Sequence, residues 1–172
     1  MNVKRMVTAL LSAMLLLGLT PLQATAAGGK ATVIDITDIG SMEAYADEEW
    51  EFDGDKTFII KSDVIITGYS RYGLKGDCLV FIIQDNHTVI WEASYGGYSD
   101  SEEYVFVEVR GEGTFSVVDG GNIALKGGGV TLRTGSGIAL TMSGWSTIIA
   151  DGWSSVDMRE YACVAVEAAG SV

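Results

Sequence analysis

The sequence predicts an all-β protein, folded as a single-stranded parallel β-helix (solenoid) of about five rungs with a short N-terminal strand and helix as its cap. Short apolar segments recur at a nearly constant spacing from residue 57 onward. Glycines, 22 in the whole chain, separate these segments, and the single proline lies before them at position 21. The periodicity of an amphipathic helix is almost absent. Such repetition is typical of stacked rungs that bury one continuous core.

The repeat consists of four units that begin alike, at first apolar positions 23, 24 and 25 residues apart. In each unit a first strand is followed by a turn and a second strand. A weaker third strand follows in the last two units, at 123–125 and 147–149. Two buried columns are therefore predicted: Phe58, Phe81, Val105 and Val130 in the first, and Ile60, Ile83, Val107 and Leu132 in the second.

Residues 1–26 have the pattern of a secretory signal peptide. Lys4 and Arg5 precede the apolar run 6–19, and the small residues Ala24 and Ala26 follow as a cleavage site. The apolar run is shorter than the roughly 20 residues that cross a bilayer, so an uncleaved anchor is the weaker alternative. We therefore expect a secreted protein, extracellular or on the cell surface, without a membrane span after signal removal.

Residues 27–56 are expected to cap the first rung, with a strand at 31–36 and a helix at 41–50 that begins at Ser41 as N-cap. Residues 57–172 are expected to form the rungs. The last rung has no recognisable cap after Val166, so we expect a chain truncated at its C-terminus. An open end of the stack would otherwise favour self-association.

Charge excludes one class of partner. Residues 27–172 hold nine basic and 23 acidic side chains, a formal net charge of −14, which repels nucleic acid. The two cysteines, Cys78 and Cys163, are interpreted as small core residues, and a disulfide between them is left open.

On this periodicity and glycine placement, residues 57–172 resemble the right-handed parallel β-helix, or pectin-lyase-like, superfamily. More narrowly, they resemble the small surface or carbohydrate-binding β-helix proteins exported by Gram-positive bacteria. The resemblance implies a non-catalytic module that binds a polysaccharide or cell-surface glycan, or that mediates adhesion. An ordinary β-sandwich is the alternative fold, and a structural stalk fragment of a larger adhesin is an alternative function.

The superfamily also contains polysaccharide lyases and glycoside hydrolases, so an enzyme is a further alternative. The motifs Asn-Thr-Asp, Asp-Asp, Gly-His-Gly and Arg-Ile-Lys of its polygalacturonase-like members do not occur. The single histidine, His87, lies between two strands and is interpreted as a turn residue. No catalytic residue is therefore predicted.

Calcium is the one cofactor that the acidic stretches suggest, since carboxylate oxygens are its preferred ligands. The candidates are Asp53 and Asp55 in the first stretch and Asp100 and Glu102 in the second. Neither stretch has the spacing of a known calcium loop. A solvated acidic surface is the preferred interpretation, and no cofactor is required.

Aromatic residues are the remaining indication of function, because sugar rings stack on exposed Tyr and Trp faces. The loop 95–98 is the best candidate platform, and Trp145 and Trp153 lie in later loops. The competing interpretation places these rings in the core, Trp91 in particular. The candidate carbohydrate-binding residues are Tyr69, Tyr72, Trp91, Tyr95 and Tyr98.

Overall fold

The computed structural model describes residues 31–70, 78–118, 120–158 and 163–168. The predicted signal peptide and Tyr72 lie outside these residues. Within them, no helix has the length and apolar character needed to cross a bilayer. The strands are β1 Thr32–Asp35, β2 Tyr45–Ala46, β3 Trp50–Phe52, β4 Thr57–Ile60, β5 Val64–Thr67, β6 Tyr69–Ser70, β7 Leu79–Trp91, β8 Ser94–Ser99, β9 Val105–Val117, β10 Asn122–Thr134, β11 Gly137–Gly144, β12 Thr147–Met158 and β13 Cys163–Ala168.

The parallel pairings of these strands form three faces. The long strands β7 and β9 pass from the first face to the second, and β10 and β12 pass from the third face to the first. The first face contains 57–60, 79–83, 105–111, 130–134 and 153–158; the second contains 32–35, 64–67, 87–91, 113–117, 137–144 and 163–168; the third contains 69–70, 94–99, 122–127 and 147–152.

This pairing confirms the predicted β-solenoid, but it makes about three turns rather than five. Residues 79–99, 105–127 and 130–152 are the full-length turns, and shorter segments flank them at 57–70 and 153–168. The prediction counted those partial turns as whole rungs.

Alternation along the strands fills the interior with apolar side chains. Aromatic rings follow one another through the stack. Phe58 lies parallel to Phe81 with ring centroids 5.0 Å apart, and Phe115 lies 6.0 Å from Phe81 and 5.8 Å from Trp91. All four side chains are fully buried. Each such burial contributes roughly 1.5–3 kcal/mol, so the stack rather than any single turn is stable.

The predicted columns are half right. Phe58 pairs with Phe81, and Val105 pairs with Val130, as the spacing predicts. Between these two pairs the column breaks, because Phe81 pairs with Val109 instead of Val105. The second column breaks at the same level, where Ile83 pairs with Gly111 and not with Val107, whereas Val107 does pair with Leu132.

Corners of unequal length cause this break, and one of them lies between the first and second faces. Three residues, 84–86, lie opposite the single residue Glu112. Asp85 and Asn86 take positive φ values of 52° and 62°, which Asp and Asn tolerate better than most side chains. The two extra residues form a bulge. The corner 100–104 is also long, since its five residues lie opposite only 128–129, so a constant period read from the sequence places the next turn wrongly on the first face.

The helix predicted over 41–50 is wrong. A single 3₁₀ turn covers Ile39–Ser41, and β2 and β3 then form an antiparallel hairpin. Asp47 Oδ1 accepts hydrogen bonds from the N–H groups of Glu49 (2.7 Å) and Trp50 (2.8 Å), which closes the hairpin turn. Trp50 and Phe52 then bury on the same side with a period of two. The strand predicted at 31–36 is confirmed as β1.

Candidate functional site

Two of the predicted sugar-stacking residues belong to the core. Tyr95 and Trp91 are both 0 % exposed. The Tyr95 ring stacks on Phe106 with centroids 4.5 Å apart, and Trp91 Nε1 donates a hydrogen bond to the carbonyl of Asn122 at 3.3 Å. Neither ring presents a face to a ligand, so both are corrected to structural residues.

Three of the four aromatic side chains that are exposed among the described residues lie instead on or beside the third face. Tyr98 is 66 % exposed and Tyr69 is 50 % exposed, and both lie on strands of this face. Trp145, 76 % exposed, lies at the corner just before β12 enters it. Large exposed rings are costly to leave in water, so three of them on or beside one face make that face the candidate site.

The outward side of the third face is called the platform, together with Trp145. Its side chains form rows because the strands are in register. Gly96 and Ala124 keep the middle row low next to the exposed Ile149. The rows are Tyr69, Ser94, Asn122 and Thr147; Gly96, Ala124 and Ile149; and Tyr98 and Lys126.

Polar groups lie beside the rings. Thr147 Oγ1 donates a hydrogen bond to Asn122 Oδ1 at 2.9 Å, which orients the amide along the first row. Ser94 precedes it in the same row and is half-buried. Hydroxyl and amide groups both donate and accept hydrogen bonds, so they match the hydroxyl groups of a sugar.

Carboxylates surround the platform. Exposed acids follow the end of β8, at Asp100, Glu102 and Glu103, and Glu92 is exposed just before its start. Among the platform side chains that the structure describes, Lys126 carries the one charge. The described side chains of the platform therefore carry a single positive charge, within an acidic rim.

The first pair of calcium candidates contains a turn-forming residue. Asp53 Oδ1 accepts the backbone N–H groups of Asp55 (2.9 Å), Lys56 (2.8 Å) and Thr57 (2.9 Å). Desolvation is the largest influence on the pKa of Asp53 and raises it. The hydrogen bonds from Thr57, Asp55 and Lys56 together outweigh it, so the pKa falls from 3.8 to about 2. Asp53 holds the turn between β3 and β4, and Asp55 is exposed beside it.

The second pair lies in the acidic rim. Asp100 and Glu102 are exposed, and the hydrogen bonds that order their loop come from Ser99 and Ser101. Across the described ranges, no three His, Cys, Asp or Glu side chains are grouped so that they could hold a metal ion.

The single histidine lies at the bulged corner. His87 Nδ1 is 3.6 Å from Asp63 Oδ1, too far for a direct hydrogen bond. Asp63 Oδ1 instead accepts the N–H of Thr88 at 2.8 Å. A shallow cavity of about 280 Å³ lies alongside, lined by Asn86, Thr114 and Ser136 among others. These contacts hold the corner in shape.

A second depression lies on the N-terminal hairpin and was not predicted. It has a volume of about 440 Å³ and is lined partly by Tyr45, Phe52 and Ile59. Its two carboxylates are already engaged, Glu51 by an ion pair with Lys61 and Asp53 by its turn. With one exposed aromatic ring against three, it is the weaker candidate for a binding site.

Sequence reasoning missed Trp145 as a principal site residue, and it missed Asn122, Ala124 and Lys126 altogether. A signal for the last three was present. The predicted strand 123–125 has apolar Ile123 and Leu125 two positions apart, so alternation would place their neighbours on the outward side. The position of Trp145 depends on the length of a corner, which periodicity does not give.

No family model, no curated protein and no solved structure matches this chain. The fold therefore rests on the strand pairings themselves. Membership of the pectin-lyase-like superfamily stays an expectation from the sequence, whereas the architecture it implied, a parallel β-solenoid, is the one observed.

Proposed function

We propose that this chain is a non-catalytic module that binds carbohydrate on the platform. The observation that carries the proposal is the placement of Tyr69, Tyr98 and Trp145 on or beside one flat face. The negative face of an aromatic ring attracts the C–H bonds on the flat side of a sugar. Three such rings around a low floor suit a ligand with several flat faces.

Hydrogen-bonding groups give the second support. The Asn122–Thr147 pair lies in the same row as Tyr69. A sugar that stacks on a ring at either side of this pair would be within reach of its hydrogen-bonding groups. A purely apolar partner would cover the remaining donors and acceptors of this pair without satisfying them, which costs free energy. A hydroxyl-rich ligand pairs them.

Export would bring the module to its ligand. The signal-peptide pattern of residues 1–26 favours a secreted or cell-surface protein, where polysaccharides are the abundant polymers. Attachment to such a glycan would make the protein an adhesion module. The proposed activity is retention, with the glycan left intact.

The test is electrophoresis of the full chain in native gels that contain one polysaccharide each. The panel includes hydroxyethyl cellulose, xyloglucan, galactomannan, mucin and polygalacturonate, with and without calcium. We expect selective retardation by a glycan, lost in Tyr98→Ala and in Trp145→Ala because each removes an exposed stacking face. The glycan should keep its length after incubation.

The matched control is Tyr45→Ala, which removes an exposed ring from the N-terminal hairpin, away from the third face. It should migrate as the unchanged chain does in each gel. Thermal unfolding of all three variants confirms that they are folded. Equal retardation of Tyr98→Ala, Trp145→Ala and the unchanged chain would remove the platform as the site.

A further inference from the structure

Resting on the proposed function, we infer that the platform binds the interior of an extended, uncharged polysaccharide chain, which crosses the strands diagonally from Trp145 to Tyr98. The ligand would contact both ends of the platform at once. A free monosaccharide or a chain end would engage one ring alone.

The spacing of the rings is the first step. Thr147 is in register with Ser94, so Tyr98 lies two strands and four positions away from it. With about 4.8 Å between strands and about 3.3 Å per residue, the Cα atoms of Thr147 and Tyr98 are about 16 Å apart. Trp145 precedes Thr147 by two residues, at the corner before β12. This distance is several times the width of a pyranose ring.

The floor between the rings is the second step. Ala124 lies one strand and two positions from Thr147, and one strand and two positions from Tyr98. It is therefore at the midpoint of the diagonal, and its methyl group is the only side-chain carbon there. Gly96 lies beside it. A stiff chain can lie flat across these two residues, whereas a bulky side chain at the midpoint would lift it from one ring.

Charge gives the third step. Glu92 lies at one border of the platform, and Asp100, Glu102 and Glu103 lie at the other. The whole chain has a formal net charge of −12. These four carboxylates outnumber the cation Lys126 on the platform, so they repel a polyanion at low ionic strength, while an uncharged polymer feels no such force. A neutral glycan is thus favoured over one built of uronic acids.

The experiment is competition in the retaining gel by cello- and manno-oligosaccharides of increasing length. We expect the competing potency to rise steeply with length and then level off once both ends are bridged. Because the two contacts belong to one ligand, losing either should weaken long-chain binding by about tenfold or more. Tyr98→Ala and Trp145→Ala should each abolish the gain with length.

Ala124→Leu tests the floor separately. The substitution leaves both rings in place and its side chain lies on the outward side of the strand. It should weaken the binding of the long oligosaccharide, while the thermal unfolding temperature stays unchanged. Ala124→Ser is its matched control and should retain binding. Polygalacturonate should neither be bound nor compete at low salt.

The outcomes separate the inference from the proposed function. Retention on a neutral glycan with equal competition by mono- and oligosaccharides would overturn the bridging inference and leave carbohydrate binding intact. Preference for polygalacturonate would overturn the uncharged ligand. Failure of every glycan to retard the chain would overturn both.

Discussion

Tyr95 and Tyr98 differ by three positions on one strand, and that odd separation puts them on opposite sides of it. Tyr95 packs inside between Trp91 and Phe106, with ring centroids 6.1 Å and 4.5 Å away. Tyr98 is exposed. Two tyrosines that look equivalent in the sequence therefore have different roles, one structural and one proposed to bind ligand.

Alanine at Tyr95 should destabilise the fold strongly. Removing a fully buried ring leaves a cavity between two aromatic neighbours, which costs about 3–5 kcal/mol of unfolding free energy. Urea denaturation followed by far-UV circular dichroism measures it. Tyr98→Ala is the control, with an expected change within about 0.5 kcal/mol. Equal losses in the two variants would contradict the burial assigned to Tyr95.

At the scale of the element, the corner glycines fix where each strand turns from one face to the next. Gly111 ends the first-face part of β9 with φ +94°, and an added Cβ would lie 2.0 Å from the carbonyl oxygen of Ile83. That oxygen belongs to the neighbouring strand β7. The position thus combines a left-handed backbone with a close approach between two neighbouring strands.

Gly111→Ala should therefore cost about 3 kcal/mol or more, from left-handed strain and a backbone clash together. The matched control is Gly120→Ala, since Gly120 has φ +88° but no atom within 4 Å of an added Cβ. It should cost only the strain, about 1–2 kcal/mol. Thermal and urea unfolding of both variants give the difference. If Gly120→Ala were the more damaging, the close approach at Gly111 would be wrong.

The turn between β3 and β4 should make part of the stability depend on acid. The folded pKa of Asp53, about 2, lies below its ordinary 3.8. A lowered pKa in the folded state stabilises the fold above pH 3.8, and this contribution is lost as the pH falls toward 2. Asp53→Asn keeps an acceptor oxygen but removes the titration, so its unfolding free energy should decline less over that interval.

Urea unfolding of both chains between pH 5 and pH 2 measures this difference. Asp35 and Asp47 also have lowered pKa values, from hydrogen bonds with Thr37 and Tyr45 respectively, so both chains retain some acid dependence. Parallel pH profiles for the two chains would contradict the role given to Asp53.

At the scale of the whole molecule, the sequence predicts the faces better than the corners. Period-two alternation and a repeat near 25 residues are enough to predict a β-solenoid and to pair Phe58 with Phe81. These two patterns fail where the number of residues per turn changes, as between Phe81 and Val109. The prediction of a helix over 41–50 was wrong for another reason. An Asx turn at Asp47 and the burial of Trp50 stabilise the hairpin, and they outweigh the helical propensity of the segment.

The candidate site was predictable to the same extent. Tyr98 and Tyr69 were identified from composition and position, and both are exposed. Tyr95 was misplaced because an aromatic residue beside glycines was interpreted as a loop, whereas β8 continues through Gly96 and Gly97. For Trp91 the core was the competing interpretation, and its ring is fully buried there. Assembly of the platform needs strands from all three turns and from the flanking segment 57–70, a relation that no local window of sequence contains.

The unequal corners have a consequence for how such a molecule can diversify. The turn that begins at residue 79 and the turn that begins at residue 105 have corners of different lengths. From the former to the latter, the first corner shortens from three residues to one, the second lengthens from two to four, and the third shortens from five to two, while the faces stay in register. Insertions and deletions are thus absorbed at the vertices of the stack. The loops that border the platform can vary in length and charge without any change to the packed interior, which would retune the selectivity that we propose for it.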